Sequence, residues 1–224
     1  MATHLLTGAG SGIGAALAAR LHARGDELVL VARSPERATD LSATYDGARV
    51  LVADLADPPS LETLQLPPVL DSVVHCAGVV ELGPVAELST AAWTEQALVN
   101  LVAPAALTRL ALPALRAARG TVVLVNSGAG LFAHPQWAAY AASKHGLRAL
   151  ADSLRAEEQS AGVRVTSVFP GRTATPMQEQ VHAQEGKDYD AAAWVRAETV
   201  VDAIVHVLDL PGDATITDLT VKPR

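Results

Sequence analysis

The chain has 224 residues, 50% of them hydrophobic and 18% charged, with a formal net charge of -7. This length supports one sizeable core and is short for two ordinary domains, and so large an apolar share suits a sheet buried on both faces. The acidic balance argues against general nucleic-acid binding, and the apolar residues fall in short runs instead of the roughly 18 in a row that a membrane span needs.

The N-terminus, Met1 through Thr7, lacks a basic region leading into a long apolar stretch, so no signal peptide is expected. Cys76 is the single cysteine, which excludes an intrachain disulfide framework and fits the cytoplasm, the expected compartment. In chain order, β-rich runs occur at Thr3–Thr7, Glu27–Ala32, Arg49–Ala53, Ser72–Cys76, Thr121–Asn126, Val163–Phe169 and Thr215–Val221. Longer helical patterns lie between them, at Gly12–Arg24, Thr90–Leu112, Trp137–Ser160 and Arg196–Leu208. Strands alternating with helices, without hairpin signals, predict right-handed crossovers and one doubly wound, three-layer α/β unit around a seven-stranded parallel sheet. No composition break divides the chain, so 1–224 reads as one domain. The least regular stretch, Arg172–Ala193, is either a lid or an ordinary surface excursion.

The first strand runs into Thr7-Gly8-Ala9-Gly10-Ser11-Gly12-Ile13-Gly14, which opens the first helix. A dinucleotide-binding turn of a Rossmann-type fold requires this setting. Gly8 permits the tight turn, bare backbone at Gly10 and Gly12 admits a pyrophosphate, and Gly14 lets the helix approach the sheet. Unpaired N–H groups at the helix start then favour phosphate.

The second strand ends at Ala32-Arg33-Ser34. A site for an unphosphorylated ribose places an acid there to accept from the 2′-hydroxyl. Here Ala32 takes that place and Arg33 follows, whose guanidinium suits a 2′-phosphate. Charge-assisted bonds of this kind are worth roughly 1.5–3 kcal/mol each, so NADP(H) is the expected cofactor. Asp54, followed by Leu55, ends the third strand, where a helix N-cap is one sound reading. His75-Cys76-Ala77-Gly78 ends the fourth. Ala77 and Gly78 allow backbone to approach a ligand, Cys76 reads as a small buried hydrophobe, and no ligand set around His75 points to a metal.

Further along, Asn100 sits within a helical pattern despite its poor propensity. Tyr140 and Lys144 are four apart in another helix and so share a face. A phenol with an ordinary pKa of about 10 is a poor acid–base group near neutrality, and a neighbouring ammonium lowers that value. Ser127 lies 13 residues before Tyr140, just past the fifth strand. Pro170-Gly171 follows the sixth strand, with Thr175 beyond it.

The TGxxxGxG turn, Ser127, the YxxxK spacing of Tyr140 and Lys144, and Pro170-Gly171 with Thr175 together resemble the short-chain dehydrogenase/reductase family. The likeness extends from Thr3 to Val221. It implies a nicotinamide cofactor held by Thr7, Gly8, Gly10, Ser11, Gly12, Ile13 and Gly14. Arg33, Asp54 against the adenine, Leu55, Ala77, Gly78, Tyr140, Lys144, Pro170, Gly171 and Thr175 complete the implied cofactor set. It also implies that Ser127 binds the substrate oxygen, Tyr140 transfers the proton, Lys144 lowers the Tyr140 pKa and holds the ribose, and Asn100 holds a water linking Lys144 to solvent. A small carbonyl or alcohol substrate, a lid at 172–193, and a homodimer or homotetramer built on the long helices are further implications.

Two departures stand out. His75-Cys76 replace the family's amides, and Pro176 follows Thr175 where an Asp often stands. The first keeps open a catalytically silent NADP(H)-binding regulatory or redox-sensing protein. A nucleotide-sugar epimerase or dehydratase is a closer rival, although such relatives usually carry a substantial C-terminal domain. Candidate substrate contacts are Phe132, His134, Trp137, Met177, His182 and Tyr189.

Overall fold

Neighbouring residues along a strand point to opposite faces, and this chain uses both faces as core. Leu5, Val73, Val122 and Leu124 join a cluster of 20 buried residues, while Leu6, Val74, Val123 and Val125 join one of 18, so the sheet is covered about equally on its two sides. The computed structural model describes residues 1–224.

The strands are β1 (Thr3–Thr7), β2 (Glu27–Ala32), β3 (Arg49–Val52), β4 (Ser72–His75), β5 (Thr121–Val125), β6 (Arg164–Pro170), β7 (Thr173–Ala174), β8 (Val195–Arg196) and β9 (Asp218–Val221). Seven of them form one sheet in the order β3-β2-β1-β4-β5-β6-β9, every pair parallel. β7 and β8 pair separately as a short ribbon. The helices are α1 (Gly12–Ala23), α2 (Pro35–Thr44), α3 (Pro58–Leu61), α4 (Thr90–Ala97), α5 (Ala103–Ala118), α6 (Ala138–Glu158), α7 (Pro176–Gln184) and α8 (Ala197–Leu208). Leu17 and Leu21 of α1 and Val200 and Ile204 of α8 cover one face. Leu107 and Leu115 of α5 and Leu147 of α6 cover the other. The expected Rossmann-type three-layer fold with a seven-stranded parallel sheet is thus present. Strand order reverses between β1 and β4, and such a switch point opens a crevice at the carboxyl ends of the strands.

Two expectations need correction. The helix expected at Thr90–Leu112 runs on to Ala118, with a π turn at Leu98–Val102 joining α4 to α5. Pro113 does not stop it. The ring removes one backbone bond, but Ala111, Ala114 and Leu115 are buried around it and hold the turn against the sheet. The helix ends at Arg119, whose φ of 52° is left-handed, with Gly120 following. By length and composition this 29-residue helix is apolar enough to cross a bilayer, and half of its most apolar window is buried in the fold. The π turn has a local cause: Pro104 offers no N–H to the Asn100 carbonyl four residues back. The second correction concerns 172–193, which is far from irregular. It contains β7, the nine-residue helix α7 and a short 3-10 turn at Ala191–Ala193.

Candidate active site

A cleft of about 970 Å³ opens where the strands end. Its floor begins at the glycine turn. Gly8 has φ +74°, and a Cβ there would lie 2.7 Å from the Ala77 nitrogen, so only glycine lets the β1 and β4 ends meet. The Ala77 N–H donates to the Thr7 hydroxyl at 3.2 Å, which fastens the same junction. Gly14 lies beneath the turn, where a Cβ would overlap the Gly8 carbonyl. α2, α4 and α7 are capped by the side chains of Ser34, Ser89 and Thr175, whereas Ser11 makes no cap bond to α1. The first N–H groups of α1 therefore face the cleft without a side-chain partner, a ready anion site.

Arg33 lines the cleft at the β2 end, as expected, but it is not alone. The Arg37 guanidinium arches back from α2 over the glycine turn, its Nη2 2.7 Å from where a Gly10 Cβ would stand. Its other end-nitrogen pairs with Asp40 at 3.1 Å on the surface. Sequence reasoning missed Arg37, whose only signal was a second cation one helical turn after Arg33. Asp54 and Leu55 also line this end. Asp54 is not a helix N-cap: its carboxylate accepts from the Ala56 N–H at 2.9 Å, closing a turn.

Tyr140, Lys144 and Ser127 converge on the same cleft. Lys144 Nζ stands 5.7 Å from the Tyr140 ring centre and donates to the Val125 carbonyl at 3.0 Å. Burial governs both groups. It pushes the Tyr140 phenol up to about 12, with the Ser127 hydroxyl offsetting only part of the effect. It pushes Lys144 down to about 8. The expected lowering of Tyr140 by its lysine is not seen: burial sets the direction, and the one opposing influence is the Ser127 hydroxyl.

Asn100 does not line the cleft. Its amide exchanges bonds with both the N–H and C=O of Val79, each at 2.9 Å, and donates to Ser143 Oγ at 3.0 Å. Ser143 in turn donates to the Tyr140 carbonyl at 2.7 Å. Asn126, another residue that sequence reasoning passed over, donates to the Lys144 carbonyl at 3.0 Å and so ties β5 to α6. Gly130 makes room for it, since a Cβ there would overlap the Asn126 amide.

Ser11, Gly12, Ile13, Gly10, Ala77, Gly78, Pro170, Gly171 and Thr175 all line the cleft; Thr7 and Gly14 lie beneath it. Thr175 caps α7 and Pro176 takes the first helical position, where its missing N–H is no loss. His75 is buried and bonded to Thr108 Oγ1 at 2.9 Å, and burial lowers it to about 3, so it stays neutral. Cys76 is half-buried, not fully buried as expected, and lines the cleft; desolvation pushes its thiol up to about 12, so it stays protonated near neutrality. Of the six candidate substrate contacts, His134, Trp137 and Met177 line the cleft. Phe132 points outward at 62% exposure, and His182, on α7 itself, is buried against Tyr189 and Trp194.

Known proteins with this architecture place it further. A family model described as short chain dehydrogenase matches residues 2–186. An uncharacterized oxidoreductase of Staphylococcus epidermidis is 28% identical over 226 residues, spanning 98% of this chain and 96% of the relative. The closed form of serine dehydrogenase complexed with NADP+ is similar in fold, with a TM-score of 0.88 at 23% identity over 99% of this chain and 94% of that one. A 4-hydroxyisoleucine dehydrogenase complexed with NADH gives a TM-score of 0.84 at 25% identity, covering 100% of this chain and 98% of that one.

Proposed function

The chain belongs to the short-chain dehydrogenase/reductase family and is an oxidoreductase of that type, and from this premise we propose an NADPH-dependent enzyme acting on a carbonyl/alcohol pair with Tyr140 as acid–base. The observation that carries the proposal is the convergence of Ser127, Tyr140 and Lys144 on the cleft that the uncapped start of α1 also faces.

The residues present fit a phosphorylated nicotinamide dinucleotide. The partnerless N–H groups of α1 and the bare backbone at Gly10 and Gly12 suit a pyrophosphate, and Arg33 with Arg37 suits a 2′-phosphate. When bound, that group supplies or accepts the hydride. Proton handling belongs to the chain. Tyr140, held neutral by burial, donates its phenolic proton to the substrate oxygen in reduction, while the Ser127 hydroxyl hydrogen-bonds the same oxygen and stabilises its growing charge. Lys144, charged below about pH 8, offsets the negative charge left on the phenol. Reprotonation needs a path, and Gly78 leaves space for one. A Cβ there would lie 3.2 Å from Asn100 Oδ1 and 3.7 Å from Lys144 Nζ, so the absence of a side chain keeps the approach to both groups open.

Val80, Trp137, Met177 and Val181 give the substrate end apolar walls around Tyr140. The silent alternative finds no support in the His75-Cys76 departure, because Thr108 satisfies the histidine internally. We also read the protein as a cytoplasmic homodimer or homotetramer, with the outer faces of α4–α5 and α6 in contact. Val102, 41% exposed on that helix, suits such an interface, and sedimentation in the analytical ultracentrifuge measures the state. Replacing Tyr140 by Phe tests the mechanism: NADPH still binds and turnover on a panel of aldehydes and ketones is lost. A variant that still turned over would refute the role of Tyr140.

A further inference from the structure

In an extended segment the N–H and C=O of one residue point to the same side, and alternate residues share a side. Residues 79–82 follow this rule without any neighbouring strand, because side-chain amides take the strand's place. Val79 and Glu81 face α4 and the π turn. Asn100 pairs with both backbone groups of Val79, and one helical turn earlier Gln96 pairs with both groups of Glu81, at 3.3 and 3.1 Å. Val80 and Leu82 face the opposite way, towards α7. There the Leu82 N–H donates to Gln184 Oε1 at 2.6 Å, and Gln184 Nε2 reaches the Val80 carbonyl at 3.5 Å.

The two sides differ in firmness. Asn100 and Gln96 are fully buried in a long helix packed on the sheet. Gln184 is half-buried at the last turn of α7, a nine-residue helix that lies between the two strands of the separate β7–β8 ribbon and not between strands of the main sheet. The clasped segment matters to chemistry because Val80 packs in one cluster with Tyr140, Ala129 and Val181, with Met177 against them. Met177 and Val181 ride on α7 and line the cleft.

We propose that Gln184 is a positioning residue, latching α7 over the cleft by pairing with Val80 and Leu82 as a strand would. The inference rests on the reading of 172–193 as a lid over a cofactor and substrate cleft. With the latch made, Met177 and Val181 stand beside Tyr140; with it broken, α7 loses its hydrogen bonds to the clasped segment.

Gln184→Leu removes both bonds, and Gln184→Glu keeps an acceptor for the Leu82 N–H while losing the donor. Hydrogen exchange of the full-length protein should show the Leu82 amide exchanging about tenfold faster in Gln184→Leu, the scale of one lost hydrogen bond. Val79 and Glu81, held by Asn100 and Gln96, should keep their protection, and Gln184→Glu should keep most of it at Leu82. Stopped-flow release of NADPH should be several-fold faster in Gln184→Leu, with an unchanged melting temperature. Unchanged exchange at Leu82 would overturn the latch. Faster exchange with unchanged NADPH release, or equal loosening of all four residues with a lowered melting temperature, would reduce Gln184 to a structural tie and overturn its positioning role. A wild-type protein that bound neither NADPH nor NADH would defeat the reading of function, and Leu82 exchange would still judge the latch.

Discussion

The Asn100 amide donates to the Ser143 hydroxyl at 3.0 Å, linking the π turn of the long helix to the turn of α6 that carries Tyr140. The hydroxyl passes the link on, donating to the Tyr140 carbonyl at 2.7 Å. Backbone after β4 and the helix α6 therefore share one buried chain of bonds.

Replacing Ser143 by Ala breaks that chain and leaves one N–H of the fully buried Asn100 without a partner. An unpaired buried donor costs about 1–3 kcal/mol, so denaturant unfolding should show a loss of that size. Because Ser143 does not line the cleft, NADPH affinity should hold while kcat falls as Tyr140 loses its setting. An unchanged stability would mean that the Asn100 amide relaxes onto other partners.

Much of this arrangement is legible before folding, and for a physical reason. The glycine turn, Ser127, and the Tyr140–Lys144 pair act at short range or at a strand end, so their spacing in the chain carries their geometry. Asn100 was visible as a helix-interior amide, but its partner Val79 was not, because a side chain bonding to distant backbone leaves no pattern. Gln96 and Gln184 were hidden for the same reason. Arg37 is a surface cation until the fold lays it over Gly10. The helical order within 172–193 was missed because α7 is short and mixes charges with its apolar positions, so local pattern is weak and packing on Val80 and Trp194 decides it.

Arg33 and Arg37 both line the cleft beside the glycine turn, and the two allow separate forecasts. Arg33→Ala and Arg37→Ala should each weaken NADPH binding about tenfold or more, the scale of a charge-assisted bond, and leave NADH binding unchanged. Cofactor fluorescence titrations read both numbers. Equal losses for the two cofactors would assign the arginines to the shared part of the dinucleotide. A wild type with no NADPH preference would refute the choice of cofactor itself.

The pH dependence follows from two buried groups. Lys144 keeps its proton below about pH 8 and sheds it above, while Tyr140, raised to about 12, stays protonated throughout. The proposed reduction needs a protonated phenol beside a charged lysine, so kcat/KM, which reports the free enzyme, should be level below about pH 8 and fall above it. Stability moves the other way. Lys144 has an ordinary value of 10.5, so between about 8 and that value the unfolded chain binds a proton that the folded chain lacks, and folding gains as pH rises. The stability of Lys144→Met should lack this rise. A kcat/KM profile level to about pH 10 would show that the lysine charge is not required.

His75 offers the sharpest test of the departure from the family's amides. Its ring is 2% exposed, burial lowers its pKa to about 3, and its Nε2 has one side-chain partner, Thr108 on α5, at 2.9 Å. Thr108→Val keeps the shape and removes the hydroxyl, leaving the imidazole nitrogen unpaired where water does not reach. The expected loss is about 1–3 kcal/mol, a fall of roughly 2–12 °C in Tm for a chain of this size. Replacing His75 by Val as well removes the stranded polar atom, so the double variant should recover part of that loss, and the cycle of four proteins isolates the pair. NADPH affinity should stay constant across the cycle because neither side chain lines the cleft. Additive losses would show that the two residues do not depend on each other, and His75 would then be held by the packing of β4 alone.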